Sequence, residues 1–121
     1  MATLEPIQNI EALNKVFEES KEKPALIFKH SLTCGTSAEA LDELNTHLNQ
    51  ANDSVAYKLI TVQSERDISN ETATRLNLRH ETPQAILIYD GRAIWHASHF
   101  RITAETIGNA VATVIKTQGS E

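Results

Sequence analysis

The chain has 121 residues, of which 40% are hydrophobic and 22% are charged, proportions typical of one folded domain and not of a disordered chain. Its 11 Lys and Arg residues against 16 Asp and Glu residues give a net charge of −5, which disfavours nucleic acids and anionic membranes as partners because both are negatively charged. No apolar run approaches the roughly 18 residues of a membrane span, and the N-terminus lacks the basic and apolar regions of a signal peptide, so we expect a cytoplasmic protein.

The first half of the chain predicts a helix, a strand and a second helix. Apolar residues at helical spacing predict a helix over about residues 10–21. The continuously apolar run at residues 25–28, ALIF, follows a proline and predicts a strand buried on both faces. The second helix begins at residues 33–37 and ends near residues 49–52, because apolar residues again recur at helical spacing: Ala40, Leu41, Leu44 and Leu48.

The second half predicts two further helices and three strands. Residues 55–63, VAYKLITVQ, are rich in β-branched and aromatic residues and predict a strand, and residues 68–78 predict a short helix. Two strands at residues 84–89 and 92–97 flank Asp90-Gly91, a strong hairpin signal. The last helix is predicted over about residues 104–116, with Thr103 as its cap.

The predicted order is α-β-α-β-α-β-β-α, which is the element order of thioredoxin. It predicts a single α/β domain over residues 1–121, with a core over about residues 24–116 and a short C-terminal tail. Parallel strands need a connecting helix, whereas the hairpin strands pair antiparallel, so the central four-stranded sheet is mixed and has helices on both faces.

The single cysteine, Cys34, falls where the first core strand gives way to a helix. It cannot form an intramolecular disulfide, so any disulfide that it forms joins another molecule. The thiolate is the nucleophilic form of cysteine, and a helix start favours it through unpaired N–H groups and the positive end of the helix dipole. The alternative is a small buried hydrophobic residue without a chemical role.

The segment CGTS, from Cys34 through Gly35 and Thr36 to Ser37, is a monothiol version of a dithiol redox motif. Gly35 leaves the sulfur uncrowded, and Ser37 stands where a dithiol protein has its second cysteine. The Ser37 hydroxyl can donate a hydrogen bond to the thiolate or cap the helix, and both roles remain open.

Two basic residues before the cysteine, Lys29 and His30, can add positive potential near the sulfur. Their alternatives are a solvated lysine at a strand end and a histidine satisfied within the structure. Three further histidines, His47, His80 and His96, have no paired spacing and predict no metal site.

Pro83 leads directly into a predicted strand. Because thioredoxin-like folds place a cis-proline here beside the active cysteine, we expect a cis Thr82–Pro83 bond. The alternative is a trans proline that begins the strand.

Three segments together resemble the YtxJ-like monothiol bacilliredoxins, thioredoxin-fold proteins of bacteria that use bacillithiol. These are FKHSLTCGTSAEA from residue 28, HETPQAILIYDG from residue 80 and WHASHFRIT from residue 95. The resemblance implies that Cys34 is the nucleophile and that Thr82 and Pro83 form a wall that binds the substrate backbone. Ser98 and His99 match a family motif and are therefore candidate substrate-binding residues, although their chemistry does not follow from the sequence.

The resemblance implies an oxidoreductase that removes bacillithiol from mixed disulfides on client proteins through Cys34. It implies bacillithiol as co-substrate with no bound cofactor, and client proteins and a low-molecular-weight thiol as partners. We expect the protein to be a monomer.

Gly35 departs from the family pattern, which usually has proline after the cysteine. CGTS is therefore also similar to the CGFS of monothiol glutaredoxins, which hold a [2Fe–2S] cluster with glutathione. Those proteins carry a Gly-Gly pair and an Asp after the last strand, where this chain has SHFRIT. An iron–sulfur carrier and a thioredoxin-like interaction domain with an inert Cys34 are the alternative functions.

Overall fold

The computed structural model describes residues 2–119 as a mixed five-stranded sheet flanked by four α-helices. The elements in chain order are β1 Leu4–Pro6, α1 Ile10–Glu19, β2 Ala25–His30, α2 Gly35–Leu48, β3 Ala56–Thr61, α3 Arg66–Leu76, β4 Gln84–Tyr89, β5 Arg92–Ser98, a 3-10 helix His99–Arg101 and α4 Ala104–Gly119. None of the helices within these residues is both long enough and apolar enough to span a membrane.

The strands are arranged in the order β1-β3-β2-β4-β5. Strand β3 pairs in parallel with β1 and β2, whereas β4 is antiparallel to β2 and β5. The predicted α/β class and mixed sheet are confirmed, but the predicted count of four strands is wrong because β1 was missed. That strand has 3 residues and includes Pro6, so it is too short to show an alternating pattern and lies at the sheet edge, where proline is tolerated.

Helices cover both faces of the sheet, as predicted. Leu26 and Phe28 of β2 pack in one apolar cluster with residues of α2 and α4. Ile27, between them, packs in a second cluster with residues of α1 and α3. Because successive side chains of a strand point to opposite faces, the continuous apolar run of β2 supplies both cores.

The hairpin between β4 and β5 is also as predicted. Asp90 and Gly91 both have positive φ, 52° and 73°, which a two-residue hairpin turn of the favoured type requires. The turn is tied to the end of α1: the Asp90 N–H donates to the Ser20 carbonyl at 2.7 Å, and the Gly91 N–H donates to the Ser20 hydroxyl at 2.9 Å. Ser20 is fully buried by these contacts.

Several element ends differ from the predicted ones. Strand β2 continues to His30, two residues beyond the predicted end. Helix α3 ends earlier than predicted, at Asn77 in the left-handed conformation that often ends a helix. Helix α4 runs to Gly119, past the predicted end near residue 116, and residues 120–121 of the predicted C-terminal tail lie outside the described residues.

Candidate active site

One end of the sheet brings together the segments that carry the predicted site. Strand β2 ends at this edge and β4 begins there, because Lys29 pairs with Gln84. Gln84 in turn pairs with Ser98, the last residue of β5. The residues after β2, before β4 and after β5 therefore meet at a single end of the sheet. The expected position of the Thr82–Pro83 bond beside Cys34 depends on this shared edge and stays a prediction.

Cys34 occupies the position just before the first turn of α2 and is half-buried. The first helical hydrogen bond runs from the Ala38 N–H to the Cys34 carbonyl at 3.1 Å. The N–H groups of Gly35, Thr36 and Ser37 precede that bond and have no acceptor within the helix. The Cys34 sulfur makes no capping hydrogen bond to them, and what favours its anion at this position is the positive end of the helix dipole.

Gly35 is exposed at the first position of α2. A Cβ built on it meets no heavy atom within 4 Å. The position therefore has room for a larger residue, and the predicted access to the sulfur on this side stays a prediction. Thr36 is half-buried and lines a cavity of about 330 Å³ that His99 also lines.

Ser37 is fully buried and joins α2 to the end of β2. Its hydroxyl lies 2.7 Å from His30 Nδ1 and accepts a hydrogen bond from the Ser31 N–H at 3.0 Å. It caps no helical N–H group. Neither predicted role of Ser37, donation to the thiolate or helix capping, matches the contacts in the described residues.

His30 is buried, as expected for a histidine satisfied within the structure. Its ring stacks on that of Phe28 with centroids 5.9 Å apart. Burial lowers the pKa of His30 below its usual 6.5, so the ring is neutral at pH 7. His30 therefore adds no full positive charge near Cys34 at that pH. This corrects the prediction that His30, like Lys29, can add positive potential near the sulfur.

Lys29 is fully buried, whereas the sequence left open a solvated lysine at the strand end. Its ammonium donates to the Ser69 carbonyl at 3.0 Å and lies 3.1 Å from His80 Nδ1. Burial lowers the pKa of Lys29 to about 8, so the side chain is still mostly charged at pH 7.

His80, which sequence analysis did not assign to the site, connects Lys29 to Thr82. Its Nδ1 lies near the Lys29 ammonium and 3.2 Å from the Ser69 hydroxyl, and its Nε2 lies 3.0 Å from the Thr82 hydroxyl. Lys29 and His80 are 51 positions apart, and no local pattern in the sequence indicates that pairing.

Gln63 is a second residue that sequence analysis missed. It follows β3 and contacts the loop that leads to Cys34. Its amide donates to the Ser31 hydroxyl at 2.8 Å and its carbonyl accepts from the Leu32 N–H at 3.1 Å. A longer contact, 3.4 Å, joins the amide to the Thr33 hydroxyl. Gln63 therefore fixes the backbone immediately before the thiol.

The Thr82–Pro83 peptide bond is cis, as predicted. The Pro83 carbonyl accepts a hydrogen bond from the His99 N–H at 3.2 Å. The buried Gln84 side chain donates to the Arg79 carbonyl at 3.0 Å. These contacts hold the segment before β4 from two sides.

Ser98 is buried, and His99 is exposed with a left-handed φ of 54°. In the structure this pair anchors the proline segment through the His99 backbone. Within residues 2–119, no group of three or more His, Cys, Asp or Glu side chains is placed to hold a metal ion.

Comparison with known proteins assigns the chain to a family. Residues 5–107 match the family described as monothiol bacilliredoxin BrxC. A solved structure described as a candidate oxidoreductase with a thioredoxin fold is 32% identical, with a TM-score of 0.79 over 88% of this chain and 92% of that one.

Thioredoxins share the fold at much lower identity. That of Fasciola hepatica is 12% identical, with a TM-score of 0.73 over 90% of this chain and 97% of its own. That of Trypanosoma brucei brucei is 10% identical, with a TM-score of 0.76 over 94% of this chain and 92% of its own. As the sequence resemblance predicts, the chain belongs to the monothiol bacilliredoxin family and has the fold of thioredoxin-like oxidoreductases.

Proposed function

We propose that the protein removes bacillithiol from mixed disulfides on client proteins. The Cys34 thiolate attacks the bacillithiol sulfur of the mixed disulfide. The client–bacillithiol S–S bond breaks, the electron pair leaves on the client sulfur, and a new disulfide joins bacillithiol to Cys34. The client is reduced and Cys34 is oxidised in this step.

The observation that carries the proposal is the environment of Cys34. The only thiol of the chain is half-buried at the N-cap position of a helix, where the positive end of the helix dipole favours the thiolate. The residue three positions later is a buried serine whose hydroxyl contacts His30 and Ser31. Nothing in the chain can displace bacillithiol from Cys34 through an internal disulfide, so the adduct persists until a second thiol arrives.

The second thiol is the co-substrate of the proposed cycle. A free low-molecular-weight thiol such as bacillithiol attacks the bacillithiol sulfur of the adduct, releases the Cys34 thiolate and leaves as a disulfide of two small thiols. The cycle needs no bound cofactor, and its partners are modified clients and the small thiol. We propose that the protein acts as a monomer.

The client is proposed to bind as an extended strand along the Thr82 backbone. Two large apolar side chains at this end of the sheet support this. Leu32, two residues before Cys34, is 69% exposed, and Phe100, which lines the cavity beside Thr36, is 77% exposed. Exposed apolar residues of this size next to a reactive group suit contact with a protein substrate.

The test is incubation of the purified protein with a bacillithiolated client, followed by intact-mass measurement of both proteins. We expect the client to lose one bacillithiol and Cys34 to gain one, and the adduct to disappear when free thiol is added. Cys34→Ser is the control and should leave the client modified. No transfer to Cys34 would support the inert interaction domain.

Iron–sulfur reconstitution with glutathione separates the remaining alternative. We expect the protein to stay colourless, because it lacks the Gly-Gly and Asp element at residues 98–103. A stable brown dimer with visible charge-transfer bands, without client reduction, would favour the cluster carrier.

A further inference from the structure

The hydrogen bonds around Lys29 determine which nitrogen of His80 carries the proton. A charged lysine has three donors and no acceptor, and Lys29 lies 3.1 Å from His80 Nδ1. Nδ1 must therefore accept while Lys29 is charged, and the proton of the neutral ring sits on Nε2. The Ser69 hydroxyl, 3.2 Å away, can donate to the same nitrogen.

The Nε2 proton then fixes the Thr82 side chain. Nε2 lies 3.0 Å from the Thr82 hydroxyl and donates to it, since the other ring nitrogen is the acceptor. A chain of donors thus runs from Lys29 through His80 to Thr82. It starts at a fully buried ammonium on β2 and ends at the residue joined to Pro83 by the cis bond.

We propose that Lys29 and His80 are positioning residues that hold Thr82 for binding of an extended client strand beside Cys34. The inference rests on the proposed binding of client backbone at Thr82. Lys29 orients the ring, the ring orients the threonine, and neither residue contacts the reacting sulfur atoms. Their effect is on client binding and not on the reactivity of Cys34 toward small disulfides.

Protonation of His80 should break the Lys29–His80 contact that orients the ring, because both ring nitrogens then become donors and Nδ1 faces the Lys29 ammonium. The charged groups around the ring are Lys29 on β2, Arg66 on α3 and Glu81 in the adjoining loop. Burial and the two cations lower the pKa of His80 below its usual 6.5, and Glu81 opposes them. Client binding should therefore weaken as the pH falls through that lowered value.

The substrate for the test is an extended peptide carrying a mixed disulfide with thionitrobenzoate. Cys34 attacks the peptide sulfur and releases coloured thionitrobenzoate, so the assay needs no bacillithiol. Single-turnover rates against peptide concentration give a half-saturating concentration and a maximal rate. The small disulfide of thionitrobenzoate reports the reactivity of Cys34 without a peptide.

His80→Asn is the main variant, because its carbonyl can still accept from Lys29 while the donor to Thr82 is lost. Loss of one neutral hydrogen bond is expected to raise the half-saturating peptide concentration about fivefold. The maximal rate and the reaction with the small disulfide should not change. His96→Asn, an exposed histidine on β5, is the matched control and should change nothing.

Thr82→Val completes a double-mutant cycle. If His80 acts through Thr82, the double variant should bind peptide no more weakly than Thr82→Val alone. The rise in half-saturating concentration at low pH should be present in the wild type and absent in His80→Asn. Additive effects, an unchanged half-saturating concentration or a pH dependence retained by His80→Asn would overturn the proposal.

A substrate-free measurement separates this inference from the proposed function. The 15N chemical shifts of His80 at pH 7 should show the tautomer protonated at Nε2, and protonation at Nδ1 would overturn the inference. If the protein reacts with the thionitrobenzoate peptide but not with bacillithiolated clients, the proposed function fails while the positioning roles stand. A wild type that binds the peptide disulfide no better than the small disulfide would contradict the inference itself.

Discussion

Replacing Lys29 by methionine should change how the stability of the protein depends on pH. The pKa of Lys29 falls from its usual 10.5 to about 8 in the folded state, because the ammonium is fully buried. Each pKa unit corresponds to about 1.4 kcal/mol, so a charged Lys29 costs the folded state about 3 kcal/mol at pH 7. Methionine has a similar length and no charge, and therefore avoids this cost.

The sign of the pH dependence follows from the lowered pKa. Between about pH 8 and pH 10.5 the unfolded chain keeps the Lys29 proton that the folded protein has released, so the free energy of unfolding rises with pH. From pH 7 to about pH 9.5 the rise from this residue is about 2 kcal/mol. The cost of burying Lys29 is therefore fully present below about pH 8 and disappears as the pH rises through 10.5.

The assay is urea denaturation of the wild type and Lys29→Met at several pH values in this window. Histidines with lowered pKa values titrate below this pH window. Burial raises the pKa of Tyr57 to about 12, so its ionisation lowers the free energy of unfolding only above the window. The free-energy difference between the two proteins should shrink by about 2 kcal/mol from pH 7 to about pH 9.5. The control is Lys15→Met, at an exposed lysine, which should keep the wild-type pH dependence. The reasoning would be refuted if the difference in free energy of unfolding between the wild type and Lys29→Met did not vary with pH.

Four further substitutions, at three positions, test the environment of Cys34. Gly35→Ala and Gly35→Pro should both stabilise the protein by about 0.4–1 kcal/mol and keep Cys34 reactive, because the added Cβ has room and the Cys34 backbone, at φ −109° and ψ 121°, is the kind that precedes proline. Thermal denaturation measures the stability and the reaction with a small disulfide measures the reactivity of Cys34. A lower melting temperature for Gly35→Pro would contradict the prediction. Ser37→Ala should lower the free energy of unfolding by about 1–3 kcal/mol, since it leaves the His30 ring and the Ser31 N–H without their partner; an unchanged urea midpoint would contradict it. Gln63→Ala should slow the reaction of Cys34 with a client disulfide by about tenfold, because it frees the loop before the thiol. The urea midpoint is the control for unfolding, and an unchanged rate would show that the loop is held without Gln63.

The fold could be predicted because its main elements carry strong local patterns. The apolar run at residues 25–28 predicts a central strand, and Asp90-Gly91 predicts the hairpin. Strand β1 could not be predicted in this way, since 3 residues are too few to show a period and their pairing with β3 is non-local.

The site was predictable only where position along the fold determines it. Cys34 at a helix start and a cis Thr82–Pro83 bond both follow from the element order. The burial of Lys29 could not be predicted, because lysine is rarely buried and its partners Ser69 and His80 come from segments 40 and 51 positions away. Gln63 was missed for the same reason, since it contacts Ser31 over 32 positions.

The attachment of the hairpin turn to Ser20 has a consequence for the opposite end of β4. The turn directly after that strand donates hydrogen bonds to Ser20 at the end of α1, and Pro83, directly before the strand, accepts one from the His99 N–H. A strand fixed at both ends cannot slip by one residue, a movement that would exchange Ile86 and Leu87 between the two apolar cores. Ser20 thus protects the alignment of Pro83 with the end of β2 from the far side of the molecule.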